Sequence, residues 1–219
     1  MSRKRVALIH TSLVSHDTLK ALFAEIIPEA TLTNIIDDSL LAEVSANNGV
    51  TPGVIARMHS YVREADLLGV DLIFNQCSSV AEAFDTATLS VKTPTLKIDA
   101  PMADKAVSLG ATIGVIATVG STVGPSVRLV EKAGIKAGKQ VTVRPYLVDG
   151  ALAMLMNGNR QGHDDLLTEA VAKAVSECDV VVLAQGSMFA MLPKFENMSK
   201  PVLASPKLAV EAAKKMLGL

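Results

Sequence analysis

An internal repeat is the feature that most restricts the folds available to this chain. The segment "ALIHT" at 7–11 resembles "GVIAT" at 114–118, and "VDLIFNQCSSV" at 70–80 resembles "CDVVVLAQGSM" at 178–188. A third pair follows in the same order, since "TPTLKIDAP" begins at residue 93 and "KPVLASP" at residue 200. The members of each pair lie 107 or 108 positions apart. Three matches in one order and at one spacing predict two related halves.

Each half alternates short β-branched runs with longer amphipathic stretches, which is typical of the α/β class. Predicted strands cover residues 5–10, 31–36, 71–75, 95–98, 113–117, 141–146, 180–183 and 201–204. Several are almost continuously apolar, as strands buried on both faces of a parallel sheet must be. Start and stop signals mark the helices. For one of them, Thr51 is a predicted N-cap, Pro52 occupies the first helical position and Gly69 ends the helix. We therefore expect two pseudo-symmetric lobes, each a mainly parallel four-stranded sheet flanked by helices.

Composition restricts the class of partner. The 219 residues are 49% hydrophobic and 20% charged, with a formal net charge of −1. Charges of both signs are interspersed, so the sequence predicts no basic surface for binding nucleic acid or an anionic membrane. Small molecules are therefore the expected partners. No run reaches the roughly 18 apolar residues of a membrane span. The N-terminal apolar run resembles a signal peptide, but it ends at His10 and no small-residue cleavage site follows. We therefore expect a cytoplasmic location.

Two cysteines, Cys77 and Cys178, form no CxxC pair, which argues against a disulfide scaffold and a cysteine zinc site. The glycines around residues 110–120 do not have the spacing of a dinucleotide fingerprint. We expect neither a metal nor a cofactor.

Polar residues cluster where strands end, and ligands of parallel sheets bind outside the carboxyl ends of the strands. Two halves facing each other would thus enclose a cleft lined by these loops. In "FNQCSSV" the strand is predicted to turn directly into a helix capped by Ser78 or Ser79, which would favour the Cys77 thiolate. Cys178 precedes a strand, at the end away from such a cleft, and is expected to be structural. The segments "HTS" (10–12), "TVGSTVGP" (118–125) and "QGS" (185–187) offer hydroxyl and N–H groups that suit a carboxylate or an enediolate.

The two-lobed repeat, "NQCSSV", "IIDDSLL", "GVIATVGSTVGPSVRLV" and "VVLAQGSM" together resemble the aspartate/glutamate racemase superfamily, with hydantoin racemases among the more similar branches. The resemblance implies a cofactor-independent enzyme with a cysteine at one strand end of each half. One thiolate removes a proton beside a carboxylate or carbonyl, and the other thiol returns one to the opposite face. With the repeat, the resemblance implies lobes of residues 1–97 plus 205–219 and of residues 98–204.

Carried over to this chain, the first catalytic cysteine falls on Cys77 and the second on Gln185, 108 positions later. A glutamine amide transfers no proton near neutral pH and only hydrogen-bonds. Two further departures are "HTS", where some members have Asp-Ser-Gly, and "GSM", where they have Thr-His. The catalytic candidates are therefore Cys77 and His10, with a bound water as an alternative to His10.

The substrate-binding candidates are the polar residues of the strand-end loops: Thr11, Ser12, Asn75, Ser78, Ser79, Thr118, Ser121, Thr122, Gln185 and Ser187. Alternative interpretations remain open, because strand-end serines and threonines are commonly caps and a lone cysteine is commonly a small buried hydrophobe. Asp37 and Asp38 suit a cap of the next helix.

Three functions follow from these residues. The first is a racemase or epimerase acting on a small carboxylate, an amino acid or a hydantoin-type cyclic amide. The second is a one-cysteine isomerase, decarboxylase or lyase, which Gln185 favours. The third is a ligand-binding protein without turnover. A homo-oligomer is compatible with each of them.

Overall fold

The chain forms two compact units in the computed structural model, which describes residues 3–219. The first unit holds the chain up to Ile98 together with Pro206–Leu219, and the second holds Asp99–Ser205. Each unit has its own four-stranded sheet, and every strand pair is parallel. The predicted α/β class with two helix-flanked sheets is confirmed.

The helices and strands alternate along the first unit. They are β1 (Arg5–His10), α1 (His16–Ile26), β2 (Thr31–Ile36), α2 (Ser39–Ala46), α3 (Pro52–Leu67), β3 (Leu72–Asn75), α4 (Ala81–Thr88) and β4 (Thr95–Lys97). A 3-10 turn at Ser78–Val80 separates β3 from α4.

The second unit repeats this alternation. It contains α5 (Ala100–Leu109), β5 (Thr112–Ala117), α6 (Gly120–Lys136), β6 (Thr142–Leu147), α7 (Ala151–Met156), α8 (Arg160–Glu177), β7 (Val180–Leu183) and β8 (Val202–Ala204). A 3-10 helix at Gly186–Phe195 follows β7, and α9 (Ser205–Met216) closes the chain.

Helix α3 shows how local sequence sets an element's limits. The Thr51 hydroxyl accepts the Val54 N–H at 3.2 Å, and Pro52 fills the first position, where a missing N–H costs nothing. Gly69, with φ of 66°, follows the helix end in the left-handed conformation that glycine adopts without strain. Between these ends, residues such as Met58 are fully buried against the sheet and α4.

The two sheets have equivalent topology, β2-β1-β3-β4 and β6-β5-β7-β8. A matching side-chain contact ties the amino ends of the central strands together in each unit. Asp71 accepts the Arg5 N–H at 2.8 Å, and Asp179 accepts the Thr112 N–H at 2.9 Å. Because β1 pairs with β3 and β5 with β7, the carboxyl ends of each central pair are neighbours. The strand-end loops that carry the predicted site residues therefore lie side by side within each unit.

His163 lies in the first turn of α8 and is only 3% exposed. Its Nδ1 lies 2.9 Å from Asp164 Oδ1, and Lys194 donates to Asp164 Oδ2 at 2.8 Å. The buried pair links α8 to the 3-10 helix after β7, a contact that helical periodicity alone does not reveal. Among the residues from 3 to 219, no helix is both long and apolar enough to cross a membrane.

Candidate active site

Asn75 holds the backbone of Cys77 at the end of β3. Its Oδ1 accepts the Cys77 N–H at 3.3 Å, and its Nδ2 donates to the Cys77 carbonyl at 3.0 Å. The next residue, Gln76, donates its N–H to the carbonyl of Ile9 at 3.1 Å and so extends the pairing with β1. The Asn75 side chain is buried, and both ends of its amide are occupied by Cys77. The backbone that carries the thiol is therefore fixed from two directions.

Cys77 itself is half-buried and extended, with φ of −125° and ψ of 123°. The prediction that Ser78 or Ser79 caps a helix beginning directly after it is wrong. The 3-10 turn intervenes, the Ala81 N–H bonds back to the carbonyl of Ser78, and the N-cap position of α4 is Val80 rather than a serine. Because a helix dipole acts over about one turn, its effect on this thiol is smaller than the sequence indicated.

His10, the last residue of β1, is fully buried and neutral near pH 7. Burial is the main cause that lowers its pKa from 6.5; His16 lowers it further, and a hydrogen bond with Asn34 opposes both. His10 Nε2 lies 2.9 Å from Asn34 Oδ1, while Nδ1 has no partner among residues 3–219. An amide oxygen only accepts, so Nε2 carries the proton and Nδ1 a lone pair. Since β1 lies between β2 and β3, this bond directs the Nε2 edge toward β2.

Hydroxyl groups without protein partners mark one loop in each unit. Thr11 Oγ1 and Ser121 Oγ are buried, and neither has a hydrogen-bond partner in the described chain. A buried hydroxyl left unpaired costs about 1–3 kcal/mol, so such groups usually meet a ligand or a water. Ser12 follows Thr11 and is partly exposed, and Thr122 follows Ser121 and is buried at the start of α6. The loops after β1 and β5 therefore contain groups suited to contact a polar ligand.

Gln185 has an amide whose orientation is set by Thr118. Its Oε1 accepts the Thr118 N–H at 2.8 Å and the Thr118 hydroxyl at 3.1 Å. A backbone N–H only donates, so the side-chain atom facing it must be the oxygen. The Nε2 group makes no hydrogen bond within residues 3–219, and Gln185 is partly exposed, as is Ser187 two residues later. The side chain is thus a hydrogen-bond donor toward whatever approaches this loop.

A known family pattern covers nearly the whole chain. Residues 10–213 fit the sequence profile of the family described as Asp/Glu/hydantoin racemase. The chain belongs to this family. The comparison with curated proteins gives no significant match.

Solved structures share the fold of this racemase-family chain at low identity. Aspartate racemase of Picrophilus torridus is 12% identical with a TM-score of 0.73, covering 98% of this chain and 94% of that one. Allantoin racemase of Klebsiella pneumoniae is 18% identical with a TM-score of 0.69, and the coverage is 99% and 89%. A glycine-to-cysteine variant of arylmalonate decarboxylase, in a sulfate-associated form, is 14% identical with a TM-score of 0.61, and the coverage is 98% and 93%. Family membership supports an isomerase-type enzyme.

The second cysteine of this racemase-family chain lies at the other end of its sheet. Cys178 immediately follows α8 and precedes β7, and it is 5% exposed. Its Sγ is 3.5 Å from the Tyr146 hydroxyl, which also donates to Glu177 at 2.7 Å. Burial, then the hydrogen bonds to Glu177 and Cys178, raise the pKa of Tyr146. This thiol packs within the second unit, away from the strand-end loops.

Ser126 is a residue that the sequence interpretation missed. It is buried in α6, and its Oγ has no partner within residues 3–219. The signal was present, because Ser126 follows the candidate Thr122 by four positions and so lies on the same helix face. The remaining candidates Ser78 and Ser79 belong to the 3-10 turn after Cys77, where Ser79 is buried and Ser78 partly exposed.

Proposed function

We propose that this chain is a one-thiol enzyme of the racemase family, in which Cys77 transfers a proton at the carbon next to a carboxylate or cyclic amide carbonyl. The observation that carries the proposal is the orientation of the Gln185 side-chain amide. Thr118 occupies its oxygen, so the residue at the second cysteine position is a donor that cannot exchange protons.

The proposed chemistry divides two tasks between these residues. The Cys77 thiolate takes the proton from the substrate carbon, and the electron pair of the broken C–H bond moves onto the neighbouring carbonyl oxygen. The Gln185 Nε2–H group donates to that oxygen as negative charge develops, a contact of the kind that contributes about 10²- to 10³-fold in kcat. The same thiol then returns the proton to carbon. That the strand ends of both units serve one substrate stays a prediction.

A decarboxylation uses the same groups but requires no proton removal from the substrate carbon, because a C–C bond breaks instead of the C–H bond. Loss of carbon dioxide from a malonate-type substrate leaves its bonding electron pair as an enediolate, and the Cys77 thiol then protonates the carbon. A single thiol is sufficient for this sequence of steps. The structural neighbour named as an arylmalonate decarboxylase makes malonates sensible members of a substrate panel.

Racemisation with His10 as the second base is the other candidate. His10 Nδ1 is a buried lone pair without a partner in the described chain, and the lowered pKa keeps it unprotonated near neutral pH. Against this role, the ring is bonded to Asn34 on the β2 side of β1.

Proton exchange in heavy water tests the proposal. We expect deuterium to enter the carbon next to the carbonyl of one or more small carboxylates, amino acids, hydantoins or substituted malonates, with retention of configuration or with loss of carbon dioxide. Cys77→Ser should abolish exchange, and Cys178→Ser is the matched control that should not. Exchange accompanied by full racemisation in the unaltered enzyme would favour His10, and ligand binding without exchange would favour a binding protein.

The Gln185→Cys variant separates the mechanisms further. A one-thiol enzyme should gain exchange on the second face of the substrate and lose part of its original rate, because a second acid-base group replaces the amide donor. An enzyme that already racemises through His10 should lose rate without a stereochemical change. Chiral chromatography of the products distinguishes these outcomes, and unchanged kinetics would place Gln185 outside the site.

A further inference from the structure

A cavity of about 310 Å³ lies in the first unit between α1 and the edge strand β2. Its size is at the lower end of pockets for small molecules, which measure about 300–1,000 Å³. The lining is Leu8, His16, Lys20, Phe23, Ala24, Ile27, Pro28, Ala30, Leu32 and Asn34. None of these belongs to the loops of the candidate active site.

The polar groups of this α1–β2 cavity favour an anion. Lys20 makes no ion pair with any residue from 3 to 219, and no carboxylate lines the cavity. Asn34 uses its oxygen on His10, which leaves its Nδ2 group as a donor. An ammonium and an amide N–H group together suit the two oxygens of one carboxylate.

The remaining lining is apolar. Leu8 and Phe23 are almost completely buried, and Ile27 and Leu32 add aliphatic surface. A ligand held here would therefore bury a hydrocarbon body and keep its charge near Lys20. We infer that the α1–β2 cavity binds a small organic monoanion, a carboxylate with a short aliphatic or aromatic body.

Occupancy of this cavity acts directly on His10. Asn34 bonds His10 Nε2 at 2.9 Å, and the ring of His16, which lines the cavity, is 5.6 Å from the His10 ring. A carboxylate that engages Asn34 changes the hydrogen bond that holds His10, the residue before the Thr11–Ser12 loop. The inference does not require His10 to be catalytic, so it stands apart from the proposed function.

The test is a titration of the full chain with hexanoate, followed by ¹⁵N NMR of the histidine rings. We expect saturable shifts of His10 and His16, while His59 and His163, which lie outside the cavity, stay constant. Hexanol and hexylammonium are matched probes of the same length. Each should bind at least about tenfold more weakly than hexanoate, since they lack the charge that Lys20 attracts.

Two variants locate the binding. Lys20→Met should lower the affinity for hexanoate by about tenfold, whereas Lys20→Arg should keep most of the affinity because the cation remains. Ala24→Leu should fill the cavity and abolish the titration without altering charge, in a position where both residues favour helix. Lys207→Met, on the exposed surface of α9, is the control and should bind as the unaltered chain does. No saturable shift, or shifts that saturate in both Lys20→Met and Ala24→Leu with the affinity of the unaltered chain, would overturn the inference.

Discussion

At the scale of single residues, the two thiols have environments that differ enough to predict their reactivity. Cys77 is half-buried beside a 3-10 turn, whereas Cys178 is 5% exposed and packed under Tyr146. Access and thiolate character control alkylation. We expect mild iodoacetamide treatment to modify Cys77 first, as mass spectrometry of the digested protein would show. Faster labelling of Cys178 would contradict the assignment of Cys77 as the reactive group.

Gln185 allows a nearly isosteric test of its donor role. In Gln185→Glu, one carboxylate oxygen still accepts from Thr118, but the other replaces Nε2 and no longer donates. We expect kcat to fall by about 10²- to 10³-fold, the cost of removing one donor to a developing oxyanion. Thr118→Val is the matched control: it removes one bond to Oε1 but keeps the backbone N–H, so its effect on kcat should be much smaller. Equal losses in both variants would indicate that orientation, rather than donation, is what Gln185 supplies.

At the scale of elements, the junction between β3 and the 3-10 turn depends on Asn75. Its amide satisfies both backbone groups of Cys77 in a buried position. Asn75→Ala should lower the free energy of unfolding by about 1–3 kcal/mol, because those groups lose their partners without gaining water. Chemical denaturation measures the change. The comparison is Asn47→Ala, which removes an exposed amide that donates to the Glu43 carbonyl at 2.8 Å and should cost about 0.5 kcal/mol or less.

At the scale of the whole molecule, His10 predicts a dependence of stability on pH. Burial lowers its pKa in the folded chain below the 6.5 expected when unfolded. Between these two pKa values the unfolded chain binds more protons, so the free energy of unfolding decreases as the pH falls below about 6.5. The contribution is fully present above that pH and lost once the pH has passed the lowered folded pKa.

Chemical denaturation at pH values between 5 and 8, measured at intervals of about one pH unit, tests this window. His10→Gln should remove most of the slope near pH 6, whereas the partly exposed control His59→Gln should keep it. Carboxylates whose pKa is lowered, such as Asp37 and Asp164, lose their contribution only as the pH falls below about 3.8. Their effect therefore does not overlap the histidine window, and an unchanged slope in His10→Gln would contradict the buried, neutral state of His10.

Sequence alone determined the architecture because the signals for it are local or periodic. Apolar runs of strand length predicted the strands, and Thr51 and Pro52 predicted the start of α3, since caps and helix starts depend on neighbouring residues. The repeat predicted two related halves and made Cys77 and Gln185 equivalent positions, because related segments build the same elements in the same order.

Tertiary structure alone decided how the polar side chains are used. Thr118 sets the amide of Gln185 across 67 positions of sequence, and Asn34 holds His10 across 24. Neither bond leaves a local pattern, since the partners meet only after β5 has paired with β7 and β1 with β2. The 3-10 turn after Cys77 was likewise missed, because a serine pair before a helical stretch fits a cap as well as a turn. Residue types and spacing identify which polar groups reach a strand end. Contacts between distant segments determine whether each group is available as a hydrogen-bond donor or acceptor, and in which direction it points.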